Sequence, residues 1–414
     1  MELLAKEGFK YIDGGVCAAK GFRANGINCG YNPDKNKNDL GMYVSDVVCN
    51  AAAVYTTNLV KGAPLTVTKE NLAKSGGKAQ AMIANSKNAN TCNRDGVERA
   101  REMCQIAGDA LGLDASLVVV ASTGVIGQPF SCEPVKNHID ELVSGLTYDG
   151  NSRAEWAIMT TDTVPKEVAV EFVIAGQTCR LGGMAKGSGM IHPNMATTLN
   201  FVTSDVAISS ELIQKALSEI VEKTYNCLSV DGDTSTNDMV CVMCNGLSGN
   251  SEITSEGAEY EAFKNALYLV MRAMTIMLAK DGEGAGKLLT CQVSGAPSFE
   301  IGRTCARSII HSTLFKCAMF GEDANWGRVL CAIGYSGADV DVLKIDVTFR
   351  SSKGELSVCR GGYGIDFSEE KASEIFAEDE IEILVDLHQG EEEATAWGCD
   401  MTYDYVKING DYRS

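Results

Sequence analysis

The sequence is poor in positive charge. It contains 36 Lys and Arg residues against 55 Asp and Glu residues in 414, so its formal net charge at pH 7 is −19. An overall field of that sign repels polyanions and anionic lipid surfaces. The charge therefore argues against nucleic acid and membrane partners and favours a small-molecule ligand.

The sequence also lacks an apolar stretch long enough to cross a bilayer. The longest candidate, residues 266–279, contains Arg272 and is shorter than the about 20 residues that a spanning helix needs. The first seven residues, MELLAKE, lack the apolar core of a secretory signal. Because 45% of the residues are hydrophobic, the chain can still bury a large core. We expect a cytoplasmic globular protein.

A complete metal or disulfide pattern is missing as well. The sixteen cysteines follow no secretory signal, so we expect reduced thiols. Cys241 and Cys244 have the spacing of half a metal site, but no second pair accompanies them and their apolar neighbours predict a buried strand. The acidic run at 231–238, DGDTSTND, lacks the twelve-residue calcium pattern. We therefore expect no metal and no other cofactor.

What the sequence does have is a tight bend near its middle, in residues 187–200, GSGMIHPNMATTLN. Two glycines, a proline and an asparagine favour the turn, and it ends in Ala196 and Thr197. The Thr197 hydroxyl can attack the unshielded carbonyl of Ala196 and convert the peptide bond into an ester. Hydrolysis would leave Thr197 with a hydroxyl nucleophile and a free amine as its own base. A plain turn entering a strand would give the same pattern without cleavage.

Apolar runs of strand and helix type alternate along the chain and predict an α/β fold. We expect strands at 79–84, 117–121, 168–174, 178–186, 288–293, 339–349 and 380–387, and helices at 94–111, 131–146, 210–226, 256–279 and 299–315.

A threonine and a glycine follow the buried strand at 117–121. Acyl transfer needs fixed donors for the negative oxygen of its tetrahedral intermediate, and a backbone N–H and a hydroxyl at the end of a rigid strand can supply them. Thr123 and Gly124 have that position. An ordinary Thr-Gly turn after a strand would look the same.

Two charged residues outside the bend are further candidates for the site. Lys186 ends the predicted strand before it and could hold a substrate carboxylate, although a lysine at a strand end is usually solvated. Glu283 lies between two glycines, where a ligand can approach a bare backbone closely.

Taken together, these motifs resemble the ornithine acetyltransferase family, also called glutamate N-acetyltransferases. The matching stretches are 85–90 (NSKNAN), 189–199 (GMIHPNMATTL), 231–238 (DGDTSTND), 281–287 (DGEGAGK) and 323–328 (DANWGR), with further matches to the last residue. The chain departs from the family pattern at Lys87 (for Gly), Thr198 (for Met), Gly286 (for Thr) and Ser414 (for Thr). If position 87 needs a positive φ, Lys87 is strained there.

The resemblance implies a four-layer α/β/β/α sandwich similar to amino-terminal nucleophile hydrolases. It implies a self-cleaving domain at 1–287, cut into an alpha chain (1–196) and a beta chain beginning at 197. A smaller α/β domain at 288–390 and a tail at 391–414 that returns to the site would follow. The fragments would stay together as a heterotetramer of two alpha and two beta chains.

The same resemblance implies transfer of acetyl from N2-acetylornithine to glutamate in arginine biosynthesis. Thr197 would carry the acetyl group after cleavage from Ala196, and Thr123 and Gly124 would hold the oxyanion. The pocket would be shaped by Thr160, Lys186, Glu283, Asn409 and Ser414.

The sequence leaves three alternatives open. It does not order the roles of Lys186 and Glu283, and it does not separate a member that uses only N-acetylornithine from a bifunctional one that also accepts acetyl-CoA. An aminopeptidase or amidase on a related self-cleaving fold, or an uncleaved binding protein, would also fit the residues.

Overall fold

A computed structural model describes residues 3–192 and 198–411. Ala196, Thr197 and Ser414, which the sequence singles out, lie outside the described residues. The described part is a mixed α/β fold with two sheets, as predicted.

The first sheet has nine strands in the order β1-β6-β7-β8-β10-β3-β4-β5, with β2 paired to β3. Its strands are β1 (Phe9–Ile12), β2 (Phe22–Ile27), β3 (Leu40–Tyr55), β4 (Lys78–Asn85), β5 (Val118–Ser122), β6 (Lys166–Ile174), β7 (Gln177–Lys186), β8 (Leu199–Ser204) and β10 (Met239–Cys244).

The second sheet has seven strands in the order β14-β13-β12-β15-β11-β16-β9. Its strands are β9 (Leu228–Ser229), β11 (Leu288–Ala296), β12 (Asp346–Ser351), β13 (Gly354–Arg360), β14 (Tyr363–Gly364), β15 (Glu380–Asp386) and β16 (Glu392–Cys399).

Eleven α-helices occur in the described part of the chain. They are α1 (Ala63–Lys74), α2 (Gly96–Leu111), α3 (Glu133–Ser144), α4 (Asn151–Ile158), α5 (Ser210–Lys223), α6 (Ala258–Lys280), α7 (Phe299–His311), α8 (Thr313–Phe320), α9 (Trp326–Gly334), α10 (Glu369–Phe376) and α11 (Tyr403–Asp411).

The first sheet folds over itself at the long strand β3. A register shift between Val44 and Cys49 in the pairing of β3 with β4 lies between the part of β3 that pairs with β2 and the part that pairs with β10. Such an irregularity bends a strand and increases its twist. The two parts of the sheet therefore face each other.

Alternation along the strands produces the four layers. In β10, Val240 and Val242 pack against α5 and α6, whereas Cys241 and Met243 face the apolar cluster shared with β4 and β5. The opposite face of β4 and β5 packs on α2 and α3. The order is thus helices α5 and α6, strands, strands, helices α2 and α3, in agreement with the predicted α/β/β/α sandwich.

Helix α6 lies inside the molecule. Its 23 residues meet the length and composition of a membrane span, although the apolar stretch 266–279 alone does not. Two thirds of its most apolar window is nevertheless buried, because the helix contacts β6 and β7 of the first sheet and β16 of the second. These contacts identify α6 as a core helix.

Two local expectations for the second half of the chain were wrong. The single helix expected at 299–315 is broken at Ser312, whose extended backbone and hydroxyl, which accepts from the Phe315 N–H, begin a second helix. The strand expected from residue 339 begins at Asp346, after a 3₁₀ turn. The end of the chain forms α11.

The second sheet draws on several parts of the sequence. Strand β16, in the expected tail, pairs with β11, and β9, in the expected main domain, pairs with β16. One apolar cluster runs from α5 and α6 into this sheet. The division into 1–287, 288–390 and 391–414 stays a prediction.

Candidate active site

Six of the predicted site residues line one pocket of about 140 Å³. They come from the end of β5, the segment after α4, the end of β7, the turn after α6, and α11. The six are Thr123, Gly124, Thr160, Lys186, Glu283 and Asn409. Residues more than 280 positions apart in sequence thus share one small cavity.

Thr123 and Gly124 present donors to this pocket. The Thr123 N–H donates to the Asn85 carbonyl (3.0 Å) and the Val125 N–H donates to the Lys87 carbonyl (3.1 Å), so the turn is held on both sides. Among the described residues, neither the Thr123 hydroxyl nor the Gly124 N–H has a hydrogen-bond acceptor. Both can therefore bind a ligand oxygen.

Only glycine fits at position 124. Its φ is +128°, and a Cβ there would lie 2.2 Å from the carbonyl carbon of Lys87. The close approach of the two backbones brings the 85–90 turn against the end of β5.

The Asn237 side chain links the 85–91 segment to the end of β5 through hydrogen bonds. Its amide nitrogen donates to the Ala89 carbonyl (2.7 Å) and the Ser122 carbonyl (2.9 Å), and its oxygen accepts from Thr91 Oγ1 (2.6 Å). The side chain is buried. The acidic loop therefore supports the pocket through hydrogen bonds.

Two of the departures from the family pattern have strained backbones. Lys87 has a φ of +74° and Thr198 a φ of +78°. Left-handed conformations are costly for side chains with a Cβ, and most for β-branched ones such as threonine. The strain expected at Lys87 is confirmed, and a second strained residue directly follows Thr197.

Thr198 is held firmly in spite of its strained backbone. Its N–H donates to Asp238 Oδ1 (2.6 Å), and its carbonyl accepts from the Met239 N–H (3.0 Å). The next residue, Leu199, pairs with Lys186 across β7 and β8. A second, smaller cavity lined by Thr198 shares Thr123 and Lys186 with the main pocket. The chain that follows Thr197 therefore begins at the pocket wall.

The chain before the undescribed residues 193–197 is also anchored. Asp231 accepts from the N–H groups of Met190 (2.6 Å) and Ile191 (2.9 Å), and the Thr234 hydroxyl donates to the His192 carbonyl (2.7 Å). Asp231, which invited a calcium hypothesis, thus binds backbone. No group of metal-ligating side chains occurs in the parts of the chain that the structure describes.

Asp162 lies beneath the pocket between two lysines. Its carboxylate accepts from Lys166 Nζ (2.7 Å) and from the Gly187 N–H (2.6 Å), and Lys186 Nζ lies 3.8 Å away. Burial opposes ionisation of this carboxyl, but the charges of Lys186 and Lys166 lower its pKa to about 2. Asp162 is therefore a permanent anion behind Lys186.

A second buried anion completes this charge cluster. Lys166 Nζ also donates to Asp281 Oδ2 (2.6 Å), and Asp281 accepts from the Thr163 N–H (3.0 Å). Lys166 is fully buried. The turn that follows α6 is thus tied to the segment before β6.

Glu283 is placed by the same turn. The Glu283 N–H donates to the Ser188 carbonyl (3.0 Å), and Asn409 Nδ2 donates to Glu283 Oε2 (2.6 Å). A Cβ at Gly189 would lie 2.3 Å from the Glu283 carboxyl, so the glycine leaves room for it. The predicted contact of the chain end with the site is present at Asn409.

The sequence did not single out Asp162, Lys166 or Asp281. Asp162 follows Thr160 closely, and Asp281 begins the DGEGAGK motif, but nothing local indicates that Lys166 joins them. The signal that could have found it is a lysine at the start of a buried strand, since a buried lysine needs an anionic partner.

A family model described as the ArgJ family matches residues 23–414. A protein from Symbiobacterium thermophilum named arginine biosynthesis bifunctional protein ArgJ is 47% identical over 407 residues, which are 98% of this chain and 100% of that protein. A protein of the same name from Caldanaerobacter subterraneus subsp. tengcongensis is 46% identical, covering 97% and 99%.

One similar solved structure is a crystal structure of an ornithine acetyltransferase from Mycobacterium tuberculosis complexed with ornithine. It is 33% identical, covers 45% of this chain and 100% of its own chain, and has a TM-score of 0.42.

Proposed function

The chain belongs to the ArgJ family, and from that premise we propose that it moves an acetyl group from N2-acetylornithine to glutamate through an ester on Thr197. The protein is an acetyltransferase of arginine biosynthesis. The covalent intermediate, the self-cleavage and the role of each residue are the proposal.

Self-cleavage between Ala196 and Thr197 comes first. The Thr197 hydroxyl oxygen attacks the Ala196 carbonyl carbon, the C–N bond breaks, and the hydroxyl proton passes to the nitrogen, which becomes a free amine. Water then hydrolyses the ester, which leaves a carboxylate on Ala196 and a free hydroxyl and amine on Thr197. The anchored residues on both sides, Asp231 with Ile191 and Asp238 with Thr198, support a fixed geometry for this step.

Acetyl transfer then proceeds in two halves. Thr197 Oγ attacks the amide carbonyl of N2-acetylornithine while its own amine takes the hydroxyl proton, and that proton passes to the departing nitrogen of ornithine. The glutamate amine next attacks the acetyl ester, and Thr197 Oγ leaves with a proton. Both halves form an oxyanion, and the Thr123 hydroxyl and the Gly124 N–H, which have no acceptor among the described residues, can donate to it.

The charges of the pocket suit an amino acid substrate. We assign Lys186 to the substrate carboxylate and Glu283 to a substrate ammonium or transferring proton, because the two groups have opposite charge and line one cavity. Thr160, Asn409 and Ser414 complete the proposed pocket. We further propose that the two fragments assemble as a heterotetramer in the cytoplasm.

The observation that carries the proposal is the convergence of six residues on one pocket beside the strand that begins after Thr197. Kinetics test it directly. Initial rates with N-acetylornithine at several glutamate concentrations should give parallel double-reciprocal lines, and Thr123→Val should lower kcat by about 10²–10³. Intersecting lines, or a normal kcat in folded and cleaved Thr123→Val, would contradict the scheme.

Denaturing electrophoresis tests the cleavage step. The active protein should give fragments of about 21 and 23 kDa, from 44.2 kDa divided as 196 and 218 of 414 residues. The larger fragment should begin at Thr197, and Thr197→Ala should stay intact and inactive. A single intact chain in an active preparation would favour a different chemistry.

A second candidate activity is acetylation of glutamate from acetyl-CoA. The observation that favours it is that the relatives at 46–47% identity are named bifunctional. In this reaction Thr197 Oγ would attack the thioester carbonyl, the C–S bond would break, and the thiol would leave with the proton.

A further inference from the structure

A groove of about 430 Å³ lies beside the catalytic pocket. It is bounded by residues 32–38, by Lys87 and by α4, and it meets the pocket at Thr160, which lines both cavities. A volume of this size is typical of a site for a small organic ligand. None of the proposed steps with N-acetylornithine and glutamate uses it.

The groove concentrates positive charge in a strongly acidic protein. Lys37 and Lys87 line it, both are exposed, and neither forms an ion pair with a described residue. Arg153 donates to neutral oxygens, namely Asn25 Oδ1 (2.8 Å), the Gly145 carbonyl (3.1 Å) and Thr147 Oγ1 (2.8 Å). None of these three cations forms an ion pair with a described residue, although a hydrogen bond from Thr147 and the charge of Arg153 both lower the pKa of Asp149.

Two carboxylates border the groove, and both are already engaged. Asp162 is bound to Lys166 beneath the pocket, and Asp34 Oδ1 accepts from the backbone and side-chain amides of Asn36. The Asn36 amides are neutral, so Asp34 keeps its charge, whereas the charge of Asp162 is offset by Lys166. The local charge is therefore opposite to the charge of the whole protein, which favours an anionic ligand.

An exposed aromatic ring forms another wall. Trp156 on α4 lines the groove and is 48% exposed, whereas the buried Trp397 is 2% exposed. An exposed indole provides a flat surface on which a heterocyclic base stacks. Cations beside an open aromatic face are the combination that recognises a phosphorylated nucleoside.

Lys87 connects the groove to the catalytic donors. Its side chain lines the groove, while its carbonyl accepts from the Val125 N–H next to Thr123 and Gly124. A ligand held by Lys87 therefore lies at the turn that presents the two donors.

We propose that this groove, residues 32–38 with Lys87 and Trp156, binds the phosphorylated nucleoside part of acetyl-CoA. The acyl arm then enters the catalytic pocket past Thr160. The inference rests on the proposed use of acetyl-CoA as a second donor, and it gives that donor its binding site.

Adenosine 3′,5′-bisphosphate is the probe for this site, since it carries the base and phosphates without the acyl arm. Titration calorimetry should show one site whose Kd increases with NaCl between about 50 and 300 mM. The Lys37→Ala/Lys87→Gly double variant should weaken Kd by about tenfold or more, and Trp156→Ala by a similar factor. Lys136→Ala, an exposed lysine on α3, is the matched control and should bind as the unaltered protein.

Glycine is chosen at position 87 because it suits the φ of +74°, so the cation is removed without added strain. Equal affinity in the double variant and the Lys136→Ala control would overturn the proposal. Absence of binding at millimolar probe, or adenosine binding as tightly as the bisphosphate, would overturn it too.

Acetylation by N-acetylornithine separates this inference from the proposed function. If N-acetylornithine acetylates the protein but the double variant has an unchanged KM for acetyl-CoA, the groove assignment alone fails. If N-acetylornithine does not acetylate the protein, the proposed function fails. The expected result is a KM for acetyl-CoA that rises at least tenfold more than the KM for N-acetylornithine.

Discussion

A lysine lies on each side of Asp162, and the two lysines differ in how many hydrogen bonds their ammonium groups form. On the buried side, Lys166 Nζ donates to Asp162, to Asp281 and to the Val164 carbonyl, so all three of its protons are used. On the pocket side, Lys186 Nζ lies 3.8 Å from the same carboxylate. It has no hydrogen bond to a described residue.

The difference separates structure from recognition. A buried ammonium is tolerable only when anions and acceptors surround it, and Lys166 has a complete set. Lys186 is held near Asp162 by charge while its protons stay available to a ligand. We infer that Lys166 maintains the pocket floor and that Lys186 binds substrate.

Replacing Lys166 by methionine should remove the buried ion pairs with Asp162 and Asp281 and have the largest effect on stability. The change leaves Asp162 and Asp281 buried without their shared cation, and the loss of one partner of such a pair costs about 3–5 kcal/mol. Chemical denaturation measures it. The control is Lys280→Met, which removes an exposed lysine paired with Glu380 at 2.8 Å and should cost below about 1 kcal/mol. Equal losses in the two variants would contradict the distinction.

Replacing Lys186 by methionine should affect the pocket side instead. A charge-assisted hydrogen bond to a substrate carboxylate contributes about 1.5–3 kcal/mol, so kcat/KM for N-acetylornithine should fall about 10- to 150-fold. Stability should change much less than in Lys166→Met, because Asp162 keeps Lys166 and the Gly187 N–H. A Lys186→Met variant that is strongly destabilised but keeps its KM for N-acetylornithine would give Lys186 a structural role instead of a substrate-binding one.

Glu155, which lies next to Lys166, should make the stability of this buried region depend on pH. It is buried beside Lys166, and burial, together with the charges of Glu167 and Asp162, raises its pKa to about 8 although the Lys166 N–H and ammonium oppose the shift. The native state therefore holds a proton that the unfolded chain releases near its ordinary pKa of about 4.3. Stability should fall as pH rises from about 5 to 8 and then level off.

Glu155→Gln should remove this part of the pH dependence, since the amide does not titrate. Denaturation curves at several pH values measure it, with Glu133→Gln at the exposed start of α3 as the control. A slope in Glu155→Gln as steep as in the unaltered protein would show that Glu155 is already ionised at neutral pH.

The smallest effect is expected at Lys87, a lysine on neither side of Asp162. Glycine would relieve the left-handed backbone at the cost of a more flexible unfolded chain, so Lys87→Gly should change the free energy of unfolding by about 1 kcal/mol or less. Thermal denaturation would detect a larger loss, which would give the Lys87 side chain a structural role that its exposure does not suggest.

The sequence could predict the layers and the residues that carry a motif. Apolar runs indicated the buried strands, and Thr123, Gly124, Lys186 and Glu283 line one pocket. Their roles, like those of Thr197 and Ser414, stay predictions. It could not indicate that Lys166 pairs with Asp281, 115 positions away, because that contact depends on the packing of β6 against α6.

Local signals also failed where one residue decides the outcome. Ser312 lies in an apolar stretch whose pattern predicts one helix. Its hydroxyl caps the first turn of α8, which explains why a second helix begins there. The sequence also did not indicate how the expected tail is held: Thr402 and Asp400 form hydrogen bonds with the backbone of the 282–287 turn.

The central claim is that acetyl passes through Thr197, and mass spectrometry of the denatured fragments tests it most directly. Incubation with N-acetylornithine alone should add about 42 Da to the fragment beginning at Thr197, and added glutamate should remove that mass and yield N-acetylglutamate. We expect discharge to be much faster with glutamate than with water, because the pocket positions the incoming amine. Discharge at the same rate without glutamate would identify a hydrolase, and absence of the adduct would contradict the covalent intermediate.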